Sequence, residues 1–598
     1  MNLPAAAHTG KLVVYQVFTR LFGNQNSTNK PWGTLAENGV GKFADFDDRA
    51  LAAIRAYGVS HLWYTGVLHH AQLTRYPDIS DDHPSVVKGR AGSPYAIKDY
   101  YNVNPDLATD PRHRLAEFAA LVARTHAHGM QVIIDIVPNH LARAYRSTSA
   151  PAGTCDFGVD DNASLEYHRD NNFYYVPGQD FSPPDHPAQG QWLADAYAAA
   201  GRCAFQESPA KWTGDGARLA KPRWNDWFET VKVNYGIRPD GSTDFPLLPE
   251  HYRNLPVVEH VRFWADKSVP NSWTKFRAIA LYWLDQGVDG FRFDMAEMVP
   301  VEFWSYMNSA IKVRNPNATL LAEVYQPGRY RDYIQLGKMD YLYDKVDLYD
   351  CLKNIVRGQE STARLDAVQQ QLQDIEPHLL RFLENHDEQR IASPEFAGSG
   401  AKGWPAMVVT TLLGQGPTML YFGQAQGEPA AADLGFGRAS RTTIFDYAGV
   451  PAHQAWLNGG RCDGGGLSQT QRLLDSAYQR LLSFSACSAS LRGAFIPLHQ
   501  ANLNETGGYD HQCYSFARCH LSDWLLVFVN FAASPRRCQL QLPKAVCAQL
   551  PQIAAGRTLS EKINADGLQR RLERTDHGDL QLLIDCPAYS AQVFQLTA

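Results

Sequence analysis

No two of the ten cysteines stand as Cys-x-x-Cys, and without that spacing zinc-ribbon and thioredoxin-type chemistry find no support. Ten in 598 residues reads as scattered free thiols of a reducing compartment. Only Cys155 and Cys203, in one loop-rich segment, are placed to bridge if the protein is exported. Long apolar runs are missing too, and none approaches the length of a membrane span. The first ten residues, Met1 to Gly10, carry no basic region and no apolar stretch of a leader. The chain is therefore expected in the cytoplasm, or in the periplasm or outside the cell if a leader has been removed. Neither sign of charge dominates. A net charge of −6 gives no reason to expect nucleic acid or an anionic membrane as partner. Internal repeats and low-complexity tracts are absent. What remains, 44% hydrophobic and 20% charged, is the composition of a soluble globular protein. It is too long for one ordinary core.

Strand then helix is the recurring pattern. Short apolar runs at 13–19, 61–65, 131–137, 288–294, 319–324, 339–343, 379–383 and 417–422 read as strands. The helix before the third is well marked. Asp110 can cap it, Pro111 suits its first turn, Leu115, Phe118 and Val122 share a face, and His128 and Gly129 end it. Further helices are expected over 273–286 and 301–313. Eight strands with helices between most of them predict a closed parallel barrel. Two segments break the pattern. Residues 141–240 are rich in Gly, Pro, Asp and aromatics, too long for a plain loop, and read as an irregular domain inserted after strand three. After a helical stretch at 470–492, alternating runs such as 512–516, 524–530 and 591–596 make 493–598 an all-β domain, expected as a β-sandwich. The barrel is thus assigned 1–140 and 241–492.

Three acids fall at or just beyond the C-terminal ends of barrel runs: Asp294, Glu323 and Asp387. A carboxylate ending an apolar strand is expensive unless it faces a polar site, so three of them predict one shared site at the strand ends. Two carboxyls are what acid/base cleavage of a glycosidic bond requires. Arg292, two residues before Asp294 and on the same strand face, is placed to depress its pKa. Asp294 and Glu323 lie on consecutive strands, about 5 Å apart in a sheet. That spacing suits a retaining enzyme rather than an inverting one.

At these residues the chain resembles the α-amylase family of retaining glycoside hydrolases. Four short regions of that family appear in order: Asp-Ile-Val-Pro-Asn-His at 135–140, Gly-Phe-Arg-Phe-Asp at 290–294, Ala-Glu-Val at 322–324 and Asn-His-Asp at 385–387. Tyr-Gln-Val-Phe at 15–18 and Ser-Pro-Tyr-Ala-Ile-Lys-Asp-Tyr at 93–100 resemble its first strand and the segment after its second. The resemblance implies an α/β fold, a (β/α)8 TIM barrel with an inserted domain after strand three and a C-terminal all-β domain. It implies Asp294 as nucleophile, Glu323 as general acid/base and Asp387 as stabiliser of the distorted sugar. Arg292 keeps Asp294 ionised, His140 and His386 bind hydroxyls, Tyr95 stacks under the ring, and Asp135 supports the site. The implied function is cleavage of α-glucosidic bonds in α-glucans or malto-oligosaccharides. The alternatives are a transglycosylase of the same clan and a non-catalytic carbohydrate-binding or scaffold relative. The resemblance implies an oligo- or polysaccharide partner and no organic cofactor. It leaves open a structural Ca²⁺ at Asn139, with Asp156, Asp160 and Asp161 as candidate ligands. One departure stands out: Met295-Ala296-Glu297-Met298 replaces the Lys-His pair that starch-cleaving members carry after the nucleophile.

Other patterns have blander readings. His126 and His128 are spaced like metal ligands but sit at a helix C-terminus, where histidine is favoured electrostatically. His69 and His70 follow the second strand and carry no assigned role. Residues 398–403 match a dinucleotide-binding glycine pattern without its strand or its acid, so a loop before a helix explains them. The loop at 24–29, with three asparagines, is either a turn or a cation loop. Trp192, Trp212, Trp224, Trp227 and Tyr235 crowd the insertion, where they serve as sugar platforms or as core.

Overall fold

The structure, a computed structural model, describes residues 10–185, 205–434, 439–503 and 505–596. Eight parallel strands form one ring: β1 (Val13–Phe18), β2 (His61–Thr65), β3 (Gln131–Ile136), β4 (Gly290–Phe293), β5 (Thr319–Ala322), β6 (Tyr341–Tyr343), β7 (Leu379–Leu380) and β8 (Thr418–Tyr421). β1 to β7 pair in chain order, and β8 pairs with β1. The remaining gap is closed where the Arg381 N–H donates to the Pro417 carbonyl and the Met419 N–H to the Arg381 carbonyl, both at 2.9 Å. The strands are buried on both faces, which is why they read as continuous apolar runs. Gly290 is required where β4 meets β5, since a Cβ there would lie 2.2 Å from the Thr319 carbonyl oxygen.

Asp110 caps a short 3₁₀ turn at Pro111–His113, and the α-helix proper runs Arg114–Ala127 with Phe118, Leu121 and Val122 buried. Strands six and seven are shorter than the apolar runs suggest. The Asp340 carboxylate accepts from Lys312 at 2.6 Å and from the Leu320 N–H at 2.9 Å, work that delays the start of β6. Just after β7, the buried Arg381 turns its guanidinium to Asp344.

The insertion leaves from the end of β3. His140–Ala142 pairs antiparallel with Thr230–Lys232, so its entry and exit lie side by side. Its described residues have little regular structure and are organised by polar side chains: Asp161 accepts from the Asn172 and Phe173 N–H groups, and Asn234 donates to the His168 and Asn171 carbonyls. Toward the C-terminus, a six-stranded antiparallel sheet centred on Asp523–Asn530 and a three-stranded one centred on Leu580–Cys586 share an apolar cluster. Along Asp523–Asn530, Leu526 and Phe528 enter that cluster, while Leu525, Val527 and Val529 join the barrel's core. Both faces are covered, so the strand is apolar at every position from Trp524 to Val529. This region is not purely β: short helices occupy His499–Leu503 and Lys544–Cys547.

Candidate active site

Asp294, Glu323 and Asp387 line one cavity of about 350 Å³ at the C-terminal ends of the barrel strands, together with Tyr95 and His140. Phe293 pairs with Ala322, so the next residues, Asp294 and Glu323, stand side by side. Beneath them lies Arg292, fully buried. Its Nη1 donates to Asp294 Oδ1 at 2.8 Å and reaches Asp135 Oδ1 at 3.4 Å, and its Nε donates to the Tyr343 hydroxyl at 3.2 Å. Nη2 lies 2.8 Å from Glu323 Oε2, a charge contact without hydrogen-bond alignment. Glu323 is fixed from two further sides. The Met295 N–H donates to its Oε2 at 2.8 Å and the Tyr325 hydroxyl to its Oε1 at 2.7 Å. Met295 holds a left-handed backbone, with φ of 46°, in making that contact.

His386 sits behind the cavity wall. Gln16 Nε2 lies 2.8 Å from its Nδ1 and donates to it, which leaves the proton on Nε2, facing the Tyr95 hydroxyl and, at 3.0 Å, Asp387 Oδ2. The Tyr95 and His386 rings stack at 5.2 Å. The Asp387 side chain is 38% exposed and points into the cavity.

Electrostatics in this cluster differ from the sequence expectation. Burial pushes Asp294 well above the usual carboxylate range; Arg292 pulls it down, and Glu323 and Asp387 push it up again. The expectation of a depressed Asp294 considered one arginine and one carboxylate, whereas the guanidinium is shared among Asp294, Glu323 and Asp135. Asp135 is also raised by burial, against Arg292 and His386. Desolvation opposes charge on Asp387, but His386 and Arg292 outweigh it and hold this carboxyl low. Burial likewise opposes charge on Arg292, yet Glu323, Tyr343, Tyr95 and Asp294 keep it protonated. His140 is neutral, lowered to about 3 by burial and by Lys232 and Lys88.

The donors at Asn139 do not fit a calcium ion. Its Oδ1 accepts from the Lys232 ammonium. Asp161 spends both oxygens on N–H groups and on the Tyr175 hydroxyl, and Asp160 accepts from the Cys155 thiol. Lys275 fills the acidic loop, donating to the Asp156 carbonyl at 2.8 Å and to Asn172 Oδ1 at 2.7 Å. Among the described residues no group of three or more His, Cys, Asp or Glu converges as a metal site. His126 and His128 each take a separate carboxylate, Asp289 at 2.7 Å and Asp48 at 2.9 Å. The loop at 24–29 folds on its own side chains, with Asn24 and Asn26 accepting from N–H groups two residues on. Of the insertion's described aromatics only Trp227 lines the cavity, its ring edge-on to His140 at 5.2 Å. Trp212 stacks on Tyr174, Trp224 meets Phe228, and Tyr235 is core. Trp192 lies outside the described residues, as does Cys203, so the Cys155–Cys203 pairing falls there too; Cys155 is a free thiol. The sequence reading missed Lys88, Glu229, Tyr325, Arg441 and Phe445, all of which line the cavity. They come from irregular segments with no period to mark them.

A closed parallel barrel that gathers carboxyls, a buried arginine and histidines at its C-terminal rim has the build of a glycoside-processing barrel enzyme. The family model for the alpha-amylase catalytic domain matches residues 16–181 and 260–433, more than half of the chain, and the chain belongs to that family. It is 23% identical over 304 residues to an alpha-1,4-glucan:maltose-1-phosphate maltosyltransferase of Cereibacter sphaeroides, covering 50% of this chain and 35% of that protein. It is 22% identical over 434 residues to the alpha-amylase MalA of Haloarcula japonica, covering 72% of this chain and 46% of that one. The chain thus spans less than half the length of these curated relatives. The solved alpha-amylase of Geobacillus thermoleovorans, complexed with acarbose, shares the fold with a TM-score of 0.59 at 18% identity, over 99% of both chains. No helix among the described residues is long and apolar enough to cross a membrane.

Proposed function

We propose that this protein cleaves α-glucosidic bonds of α-glucans or malto-oligosaccharides with net retention, by hydrolysis. The observation that carries this reading is the pairing of Asp294 and Glu323 at adjacent strand ends, joined by the two ends of one buried guanidinium. Neighbouring strands stand about 4.8 Å apart. That leaves room for direct attack rather than for an intervening water. Asp294 attacks the anomeric carbon while Glu323 gives its proton to the leaving oxygen. Glu323 then takes a proton from water, which releases the sugar from Asp294. Asp387, held low by His386, faces the positive charge that develops on the ring. The reaction needs charge on Asp294 and the proton on Glu323. The aligned Arg292 hydrogen bond to Asp294 favours that distribution, and the growing cationic charge at the anomeric carbon strengthens it.

Transfer to a sugar acceptor is the second reading. It is favoured by the matches to maltosyltransferases and by the replacement of the Lys-His pair with Met295-Ala296-Glu297-Met298. Incubation with maltotriose separates the two: products longer than the substrate mark transfer. Asp294→Asn is expected to lower turnover by roughly 1,000-fold or more with the fold intact. The first product seen by proton NMR should be the α-anomer. A β-anomer, or wild-type turnover in Asp294→Asn, overturns the assignment.

A further inference from the structure

The cavity is walled on one side by three segments that are tied to each other. Lys88, on the long excursion after β2, pairs with Glu229 of the insertion at 3.0 Å, and the two side chains are only 12% and 6% exposed. A few residues on, the Ala91 N–H donates to the Phe445 carbonyl at 3.0 Å, joining that excursion to the segment after β8. Gly89 packs so closely there that a Cβ would lie 2.2 Å from the same oxygen. Arg20, buried just after β1, clamps the junction from below, donating to the Ala91 carbonyl at 3.0 Å and to the Ile444 carbonyl. Lys88, Glu229, Trp227 and Phe445 all face the cavity. Insertion, β2 excursion and β8 excursion therefore make one continuous rim over β8, β1, β2 and β3.

The position of Glu323 orients the substrate against this rim. In a ring of eight strands β5 stands opposite β1, and Glu323 with Tyr325 follows β5. A proton donor sits beside the leaving oxygen, so the leaving group lies toward β4, β5 and β6. The far, non-reducing end of the reacting ring then points at the wall. A cavity of about 350 Å³ is at the small end of ligand sites and suits a short ligand rather than a chain running through.

Resting on the function proposed above, we infer that the Lys88–Glu229–Phe445 wall ends the site at the non-reducing end of the reacting sugar, so that single terminal glucosyl units are released and chains are not cut internally. The test compares para-nitrophenyl maltoheptaoside with the same compound ethylidene-blocked at its non-reducing end. The free substrate should shorten one unit at a time with glucose as the first product, and the blocked one should react at least about 100-fold more slowly. Cleavage of the blocked substrate within about tenfold of the free one, or early products of mixed length, removes the wall from the argument while leaving the glycosidase reading in place. Absence of turnover on both, and on para-nitrophenyl α-glucoside and maltose, removes that reading and this inference together. A triple variant, Lys88→Ala, Glu229→Ala and Phe445→Ala, takes out both charges of the pair at once, so no lone charge is left buried. It should narrow the gap between blocked and free substrate by about tenfold or more.

Discussion

Replacing Arg292 by methionine keeps the unbranched stem of the side chain out to the Nε position and removes the buried cation beneath Asp294, Glu323 and Asp135. Four contacts go with it: two carboxylates at 2.8 Å, a third at 3.4 Å, and the Tyr343 hydroxyl. Removing one partner of a buried ionic set costs about 3–5 kcal/mol, because the charges left behind have neither water nor a counterion. The loss should depend on pH in a definite direction. Asp294 and Asp135 already sit above the ordinary carboxylate range, and Arg292 is what restrains them. Without it both rise further, so the folded state holds more protons than the unfolded one at every pH between the ordinary range near ~4 and the new folded values. Stability then falls as pH rises through that window. Urea denaturation should show a deficit of about 3–5 kcal/mol at neutral pH. At pH ~5 the deficit should be smaller, by about 1.36 kcal/mol per pH unit for each proton that the folded variant holds beyond the folded wild type. Wild type should show the smaller slope. A deficit below about 1 kcal/mol, or one that does not change with pH, refutes the idea that this guanidinium carries the carboxyl cluster.

Other contacts carry three further outcomes. Tyr325→Phe deletes the hydroxyl that donates to Glu323 at 2.7 Å. A hydrogen bond to a charged group is worth about 1.5–3 kcal/mol, so kcat on maltose should fall by about 10- to 100-fold. Turnover of α-glucosyl fluoride, whose leaving group needs no proton, should change little; equal losses on both substrates would show that Tyr325 does not act through Glu323. Chelation by EDTA should leave thermal stability unchanged, since the Asn139 oxygen already faces the Lys232 ammonium. Lys232→Met should instead cost about 1–3 kcal/mol by stranding that oxygen, and a calcium-dependent melting temperature in the wild type would contradict both statements.

The barrel and its carboxyls were legible because Asp294 and Glu323 interrupt runs that are otherwise apolar, Asp387 falls in an Asn-His-Asp motif a few residues beyond another, and a strand period places Arg292 on the face of Asp294. Pairing across long separations was not legible. The antiparallel register His140↔Lys232 brings a lysine to Asn139, and nothing local in either segment announces it. Composition likewise marked five aromatics in the insertion without distinguishing Trp227, which faces the cavity, from Trp212, which stacks on Tyr174. The upward shift of Asp294 escaped for a related reason. A charge two residues away is visible in the sequence, but the division of that charge among three carboxyls on three strands appears only when the barrel closes.

Three lysines join the insertion to the barrel, and each does so at a different point. Lys275, on the barrel helix Asn271–Asp285, donates into the loop carrying Asp156 and Asn172. Lys88 reaches Glu229, and Lys232 returns to Asn139 at the end of β3. An ammonium is a compact cation with three donors, so it can gather a few oxygens where calcium wants six to eight. Two of these ties also position a cavity residue. Glu229 is the second residue after Trp227, and Asn139 Nδ2 lies 3.1 Å from His140 Nδ1. The cation that seats Asn139 therefore also orients the neutral imidazole beside it. The insertion gives Trp227 and Glu229 to the cavity rim, so the rim's geometry there is set by how these ammonium groups hold the insertion down and not by the barrel alone.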